Sequence, residues 1–400
     1  MKTYKRRSIY LEKIKPFMKK DIIKVLVWQR RVGKSYILFQ IIDELKNKFS
    51  VKNNEICYIN KELNQFDFIK NYQDLLDYVK KDKNKKYIFI DEIQDIENFE
   101  KALRDLQAMW NYDIYISGSN AKLLSSEIAT YLTWRYIEFE IFPLNYIEFL
   151  DFQNLENNQQ NFFKYVKFGG LPYLINLPLE EEVVYDYLIS VYNTILLKDI
   201  VRRYSIRNVD FLDKLIVYLA DSVWNLFTAR NISQYLKSQK IDLNPNVILN
   251  YLNYITSVFL VNKVRRKDVV WKKIFEINDK FYFSDVGIRN AIVGGFRQPD
   301  IWKVLENIVF IHFKSLWYNV YVGKYKDKEI DFVVEKKSDI KYIQVTYLLN
   351  DEKTIEREFW NLLAIPDNYE KIVLSADNFF GGDYKWVKHY NIWEYFWSFV

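Results

Sequence analysis

The segment Trp28-Gln29-Arg30-Arg31-Val32-Gly33-Lys34-Ser35 follows an apolar run, Ile22–Val27, and opens a stretch with helical spacing, Ser35–Phe49. This order of strand, loop and helix is the context of a phosphate-binding loop, whose backbone N–H groups point at phosphates. The segment matches the pattern G-x-x-x-x-G-K-[ST] except at its first position, where Trp28 stands. We therefore expect Lys34 to reach the terminal phosphates of a nucleotide and the Ser35 hydroxyl to bind Mg²⁺.

Continuous apolar runs alternate with helical stretches through the first 150 residues. The later runs are Glu55–Ile59, Tyr87–Ile90, Asp113–Ser117 and Tyr136–Ile141, and the stretches between them include Asp67–Val79 and Phe99–Met109. Apolar strands without alternation indicate a parallel sheet that is covered by helices on both faces. The sequence therefore predicts an α/β nucleotide-binding domain.

Two carboxylates, Asp91 and Glu92, end the apolar run Tyr87–Ile90. Ligands of α/β sheets bind at the carboxyl ends of the strands. We expect Asp91 to hold Mg²⁺, either through Ser35 or through water, and Glu92 to orient and polarise the attacking water. A solvated strand end would explain an isolated acidic pair, but the phosphate-binding loop upstream favours the catalytic interpretation.

Three other polar residues are candidates to act near the terminal phosphate. Ser119 and Asn120 follow the run Asp113–Ser117, where they could sense phosphate or position water, or cap a helix at Ala121–Ser126. Arg135 could stabilise transition-state charge in its own subunit or in a neighbour; an ion pair with Glu138 or Glu140 is the alternative. Nucleotide binding itself is assigned to Trp28, Gln29, Arg30, Arg31, Val32, Gly33, Lys34, Ser35 and Tyr36.

The composition excludes several classes of protein. Half of the residues are apolar and 18% are aromatic, so disorder is not expected. One cysteine, Cys57, and two histidines, His312 and His389, exclude a disulfide framework and a multi-histidine metal site. No apolar run predicts a membrane span or a signal peptide, so we expect a cytoplasmic protein. The net charge of +6 permits nucleic-acid binding but does not argue for it.

Several segments resemble the prokaryotic AAA-like ATPases that carry a C-terminal domain of unknown function, number 4143. The resemblance rests on Gln29–Ser35, Phe89-Ile90-Asp91-Glu92-Ile93-Gln94, Ser117-Gly118-Ser119-Asn120-Ala121, Arg135-Tyr136 and Phe142-Pro143-Leu144. It implies an ATPase domain in residues 1–150, a helical lid in 151–205, a winged-helix-like domain in 206–290 and a restriction-endonuclease-like α/β domain in 291–400. ATP and Mg²⁺ are the implied ligands. AAA relatives often form rings, so an oligomer is compatible with the resemblance.

The resemblance also concerns the segment Gly169-Gly170-Leu171-Pro172. It matches a Gly-x-Pro element that approaches the adenine in related ATPases, which implies that Pro172 contributes to nucleotide binding.

The tryptophans are unusual in number and position. The chain has 11 tryptophans and 10 glycines, whereas average usage would give roughly 28 glycines. Some bacterial lineages translate the codon UGA as glycine, so we hypothesise that most of these tryptophans are glycines read with the wrong codon table. The suspect positions are Trp28, Trp110, Trp134, Trp224, Trp271, Trp302, Trp317, Trp360 and Trp386. The alternative is a divergent chain that no longer binds nucleotide.

A basic hairpin and an incomplete nuclease pattern leave a link to DNA open. The hairpin residues Lys263, Arg265, Arg266, Lys267, Lys272 and Lys273 could contact phosphates, although a solvated hairpin explains them equally well. Glu306, Asp331 and Gln344 follow the spacing of a nuclease core, but Thr346 stands where lysine is needed. We expect a nuclease-like fold without nuclease activity.

Three functions are compatible with the sequence. The first is a Mg²⁺-dependent ATPase whose turnover switches its conformation for a protein partner that the sequence does not identify. The second is a factor that binds or processes DNA. The third is an interaction protein without nucleotide, which genuine tryptophans at positions 28 and 134 would favour.

Overall fold

The computed structural model describes residues 4–124, 135–222, 229–238, 244–270, 274–349, 352–377 and 383–399. The chain forms two compact units. Residues 1–142 and 257–259 make up the first, and residues 143–256 and 260–400 make up the second. This division differs from the four segments expected from the sequence.

The first unit is built on a five-stranded parallel sheet with the strand order β2-β3-β4-β1-β5. Its strands are β1 (Ile23–Val27), β2 (Ile56–Asn60), β3 (Tyr87–Asp91), β4 (Asp113–Gly118) and β5 (Tyr136–Glu140). Each strand lies within one or two residues of an apolar run in the sequence, so the predicted parallel α/β domain is confirmed.

Helix α1 (Ser8–Ile14) precedes β1. Helices α2 (Lys34–Phe49), α3 (Tyr72–Lys80) and α4 (Phe99–Ala108) connect the strands from β1 to β4. Helix α3 begins later than the helical stretch predicted from Asp67, because Asn71 caps it with hydrogen bonds to the backbone N–H groups of Gln73 and Asp74. A 3₁₀ turn occupies Ala121–Leu124, the described part of the helix predicted there.

The central strands β1, β3 and β4 are buried along their whole length. The rings of Phe89 and Tyr115 stack across β3 and β4 with centroids 4.6 Å apart. Lys24, the one charge in β1, is also buried, and its ammonium pairs with Asp113. This buried pair explains how an interrupted apolar run still forms a central strand.

The second unit begins with helices and continues into a mixed sheet. The helices are α5 (Tyr146–Gln153), α6 (Gln159–Phe168), α7 (Glu181–Thr194), which runs into a π-helix (Ile195–Arg202), α8 (Val209–Asp221), α9 (Ala229–Ser238), α10 (Pro245–Ser257), α11 (Val286–Ile292), α12 (Ile301–Ser315), α13 (Glu352–Leu363) and α14 (Ile392–Trp397). No described helix has the length and apolarity needed to cross a bilayer.

Seven strands form the sheet of the second unit in the order β12-β11-β10-β9-β8-β6-β7. They are β6 (Val261–Asp268), β7 (Ile274–Phe283), β8 (Asn319–Tyr325), β9 (Lys328–Lys336), β10 (Asp339–Thr346), β11 (Glu370–Ser375) and β12 (Lys388–Asn391). Strand β6 pairs in parallel with β8. The hairpin of β6 and β7, which the sequence assigned to a winged helix, is therefore the edge of this larger sheet. Strands on both sides of the boundary expected near residue 290 belong to the same sheet.

Two of the suspect tryptophans have a backbone that favours glycine. Trp110 and Trp317 follow the ends of α4 and α12 with φ of 54° and 61°. Their N–H groups donate to Gln107 and Lys314, which closes each helix in the manner of a glycine C-cap. A left-handed backbone is costly for a residue with a large side chain.

The other suspect tryptophans give a mixed result. Trp360 lies inside α13, where glycine is unfavourable, and Trp302 is the second residue of α12. Trp386 lies in a turn between the bridged residues Tyr384 and Val387. Trp134, Trp224 and Trp271 lie outside the described residues.

Candidate nucleotide site

The loop between β1 and α2 turns at two residues with a positive φ. Arg31 and Gly33 have φ of 68° and 94°, and Gly33 is the residue that precedes α2. Its carbonyl accepts the first helical hydrogen bond, from Ile37 N, at 3.0 Å. The N–H groups of the first turn of α2 have no partner within the helix, so this end can bind an anion.

The Lys34 ammonium lies inside this loop. The side chain is buried, and Nζ donates to the carbonyls of Trp28 at 3.0 Å and Gln29 at 2.9 Å. Glu92 Oε1 is 3.7 Å from the same ammonium. The lysine of the loop and an acid of β3 are therefore neighbours, as the motifs predict.

Asp91 ends β3 within a cluster of hydroxyl groups. Its carboxylate accepts hydrogen bonds from Ser117 Oγ and, at 3.1 Å, from the Tyr58 hydroxyl. The Ser35 hydroxyl lies close enough to this carboxylate to oppose the rise of its pKa. Ser35 and Asp91, the two predicted Mg²⁺ ligands, are thus brought together.

Glu92 has a left-handed backbone, with φ of 57° and ψ of 52°. Its carboxylate accepts a hydrogen bond from Ser119 Oγ at 3.1 Å and another from Gln94 Nε2. These contacts and the nearby Lys34 fix the orientation of the carboxylate. A fixed carboxylate beside the loop is what the positioning of a water molecule requires.

The two acids have opposite pKa shifts. Burial raises the pKa of Asp91, although hydrogen bonds from Ser117 and Ser35 oppose the shift. Burial alone would also raise the pKa of Glu92, but the charges of Lys34 and Arg30 outweigh it and lower this pKa. Glu92 is therefore ionised at neutral pH.

The remaining loop residues have different environments. Arg30 is buried and donates to Glu62 at 2.7 Å, whereas Arg31 and Tyr36 are exposed. Val32 is buried, and its carbonyl accepts a hydrogen bond at 3.1 Å from Arg7. Gln29 is fully buried, and neither polar atom of its side chain has a hydrogen-bond partner among the described residues.

Trp28 turns its side chain into an aromatic cluster. The indole is buried, its centroid lies 4.4 Å from that of Phe142 and 4.6 Å from that of Phe259, and it stacks on Phe259 at 24°. Residues 257–259 are the short segment that clusters with the first unit. The backbone of Trp28 stays in the loop, where its carbonyl accepts from Lys34.

Ser119 and Asn120 are both buried at the carboxyl end of β4, and Ser119 contacts Glu92. Arg135 precedes β5, at the amino ends of the strands, whereas the loop lies at their carboxyl ends. Its carbonyl accepts from Ile23 N, and its guanidinium lies 5.1 Å from the Trp110 ring centroid. Since β1 rises about 3.3 Å per residue, Arg135 is roughly 16 Å from the loop of its own chain. Only its action on a neighbouring subunit stays a prediction.

Pro172 belongs to the second unit and begins a 3₁₀ turn after Gly170. A Cβ on Gly170 would meet the Leu144 carbonyl oxygen at 2.0 Å, so this close approach requires glycine. The buried Asp285 carboxylate accepts from Gly170 N at 2.7 Å. The Gly-x-Pro segment is therefore held firmly within its own unit.

The nuclease-like acids of the second unit surround a lysine from β7. Lys280 Nζ is 2.9 Å from Glu306 and 2.8 Å from Glu329. Burial would lower the pKa of Lys280, but these acids and Asp331 outweigh it and raise this pKa. Within the described residues, no group of three or more acidic, histidine or cysteine side chains has a metal-binding arrangement.

The basic hairpin is engaged in ion pairs. Lys263 pairs with Asp279 at 2.8 Å, and Lys267 pairs with Glu335. Arg266 lies 3.8 Å from Glu329. Lys272 and Lys273 lie outside the described residues. These pairs give the charges of β6 a role within the sheet, and they do not support DNA binding.

Comparison with known proteins places this site in a family. Residues 20–150 match the family model described as an AAA domain. A Haemophilus influenzae protein named "Uncharacterized protein" is 35% identical over 380 residues, which cover 92% of this chain and 93% of that protein. The chain belongs to the family of this protein. A second relative in the family, Uncharacterized protein MJ1544 of Methanocaldococcus jannaschii, is 33% identical over 89% of this chain and 80% of its own length.

The comparison corrects one expectation and confirms another. Resemblance to AAA-like P-loop proteins is confirmed for the first domain. The expected domain 4143 is wrong, because residues 159–298 match a different domain of unknown function, DUF8612. Among solved structures, Cdc6p from Pyrobaculum aerophilum covers 78% of this chain and 96% of its own, at 11% identity and a TM-score of 0.31.

Proposed function

We propose that this chain binds ATP with Mg²⁺ at the loop 28–35 and hydrolyses it, and that turnover switches the conformation of the protein. The observation that carries the proposal is the convergence of Lys34, Ser35, Asp91 and Glu92 at the carboxyl ends of β1 and β3. The AAA-domain match over residues 20–150 supports nucleotide binding independently.

The residues present suit a magnesium nucleotide. Mg²⁺ prefers oxygen ligands, and it is commonly held by one or two protein oxygens together with phosphates and water. The adjacent Ser35 hydroxyl and Asp91 carboxylate are such oxygens. When bound, Mg²⁺ would neutralise charge on the β- and γ-phosphates.

The side chains would have separate roles in hydrolysis. Lys34 and the N–H groups of α2 would bind the phosphate oxygens as negative charge moves toward the leaving ADP. Glu92 would accept a hydrogen bond from the water that attacks the γ-phosphorus, while the bond from that phosphorus to the ADP oxygen breaks. Ser119 holds the Glu92 carboxylate in place.

Steady-state phosphate release tests this function. The protein would carry glycine at the nine suspect positions, and Lys34→Ala and Lys80→Ala would be made in that background. We expect turnover that Lys34→Ala abolishes and that Lys80→Ala, on the exposed end of α3, leaves unchanged. Folded protein that neither binds nor hydrolyses ATP would contradict the proposal and favour an interaction protein without nucleotide.

A further inference from the structure

The indole of Trp28 occupies a space beside two aromatic rings, stacked on one and tilted against the other. Phe142 lies on one side at a centroid distance of 4.4 Å and an angle of 59°, and Phe259 lies at 4.6 Å and 24°. All three side chains are buried. The space therefore suits a planar fused ring of about the size of indole.

The backbones of Phe142 and Phe259 have features that do not depend on the indole. Phe142 N donates to the Tyr10 hydroxyl at 3.1 Å, and its carbonyl accepts from Arg7 at 2.9 Å. Phe259 has a φ of 57°, a conformation that persists only where the surroundings impose it. The backbone of Phe142 is thus held by contacts other than those of the indole.

The same space adjoins the phosphate-binding loop. Trp28 is the first residue of that loop, and its carbonyl accepts a hydrogen bond from Lys34. The indole Nε1 is buried and has no hydrogen-bond partner among the described residues. The space offers aromatic faces beside the loop, but no polar partner among the described residues for the ring that now fills it.

We propose that the space between Phe142 and Phe259 is the subsite for the purine base of the nucleotide, and that the Trp28 side chain obstructs it. Indole and purine are both fused five- and six-membered rings, so one can replace the other between the same faces. This inference rests on the proposed nucleotide function. Binding by stacking tolerates different bases, so ATP and GTP should bind with similar affinity.

Calorimetric titration with two ligands tests the subsite. Inorganic tripolyphosphate carries the phosphates without a base, and ATP carries both. In the chain as printed, Trp28→Gly should strengthen ATP binding by about tenfold or more, because stacking contributes about 1–3 kcal/mol per base. Tripolyphosphate affinity should change by less than about threefold. Trp386→Gly, at an exposed position of the second unit, should change neither affinity.

A second substitution keeps the test independent of Trp28. In the Trp28→Gly protein, Phe259→Leu keeps an apolar side chain but removes the aromatic face. ATP affinity should fall by about fivefold or more, with tripolyphosphate affinity unchanged. Equal changes for the two ligands would overturn the subsite, since they would show that Trp28 only distorts the loop. Folded variants that bind neither ligand would overturn the proposed nucleotide function itself.

Discussion

The guanidinium of Arg7 donates a hydrogen bond to the carbonyl of Val32 inside the phosphate-binding loop, at 3.1 Å. Arg7 also donates to Phe142 and is buried, with its guanidinium 4.4 Å from the Tyr10 ring centroid. The segment before β1 thus fixes the shape of a loop that lies 25 residues later in the chain.

Replacing Arg7 with methionine should weaken ATP binding by about tenfold. The carbonyls of Val32 and Phe142 would lose their donor, which costs about 1–3 kcal/mol for each buried group. Titration with ATP and urea unfolding measure the two effects. Arg6→Met is the matched control, because Arg6 is half exposed and pairs with Glu44. An unchanged ATP affinity in a folded Arg7→Met protein would rule out the positioning role.

Glu92→Gln should separate binding from turnover. Glutamine has nearly the same shape as glutamate and can still form hydrogen bonds, but it is uncharged and is a poor proton acceptor. It should polarise water poorly, so the rate of phosphate release should fall by about 100-fold. ATP affinity should stay within about threefold. Loss of binding with unchanged turnover per bound nucleotide would assign Glu92 to the binding of ATP instead.

Lys280→Met should destabilise the second unit by about 3–5 kcal/mol, because Glu306 and Glu329 would lose their buried counter-charge. Chemical denaturation measures this loss. Lys263→Met removes a half-exposed partner of Asp279 and should cost less than about 1 kcal/mol. Similar costs for the two variants would show that the buried network is not what holds β7 in the sheet.

His312 should make stability depend on pH. Burial lowers its folded pKa from 6.5 to about 3, so the unfolded chain binds a proton between these values and the folded chain does not. The free energy of unfolding should therefore fall as pH drops from about 6.5 toward 3, by up to about 4 kcal/mol. Melting curves across this range would show it. His312→Phe should make the dependence shallower, and an unaltered slope would assign the effect to other groups.

Glycine at positions 110 and 317 should stabilise the protein by about 0.5–1 kcal/mol each, because it removes a left-handed tryptophan. Trp360→Gly, inside α13, should instead destabilise it by about 1 kcal/mol. The coding DNA gives a separate check. The codon hypothesis predicts UGA at Trp110 and Trp317, and UGG at Trp28 and Trp134 would contradict it.

The sequence predicts the first unit well because the patterns that define its strands and its loop lie within short segments of the chain. Apolar runs define strands, and Lys34 and Asp91 follow because the carboxyl ends of parallel strands share one edge. Arg7 and Tyr58 carry no motif, since their contacts with the site come from the N-terminal segment and from a neighbouring strand. Sequence reasoning therefore missed them.

The second unit is less predictable for a related reason. The hairpin of β6 and β7 looks local, but its partner β8 begins 51 residues after the end of β6. No periodicity within the hairpin reports that pairing. The charges of Lys263 and Lys267 likewise suggest a binding surface until Asp279 and Glu335 are seen beside them.

The two hydrogen bonds from Lys34 to the Trp28 and Gln29 carbonyls have a thermodynamic consequence. They hold the loop in one conformation. The conformational entropy of the loop is therefore lost when the protein folds, and it is not lost again when nucleotide binds. A phosphate that draws the ammonium away must exchange these internal bonds for its own. The enthalpy of nucleotide binding should therefore be less favourable than the number of new contacts implies. The affinity should depend largely on the fact that the loop is ordered before nucleotide binds.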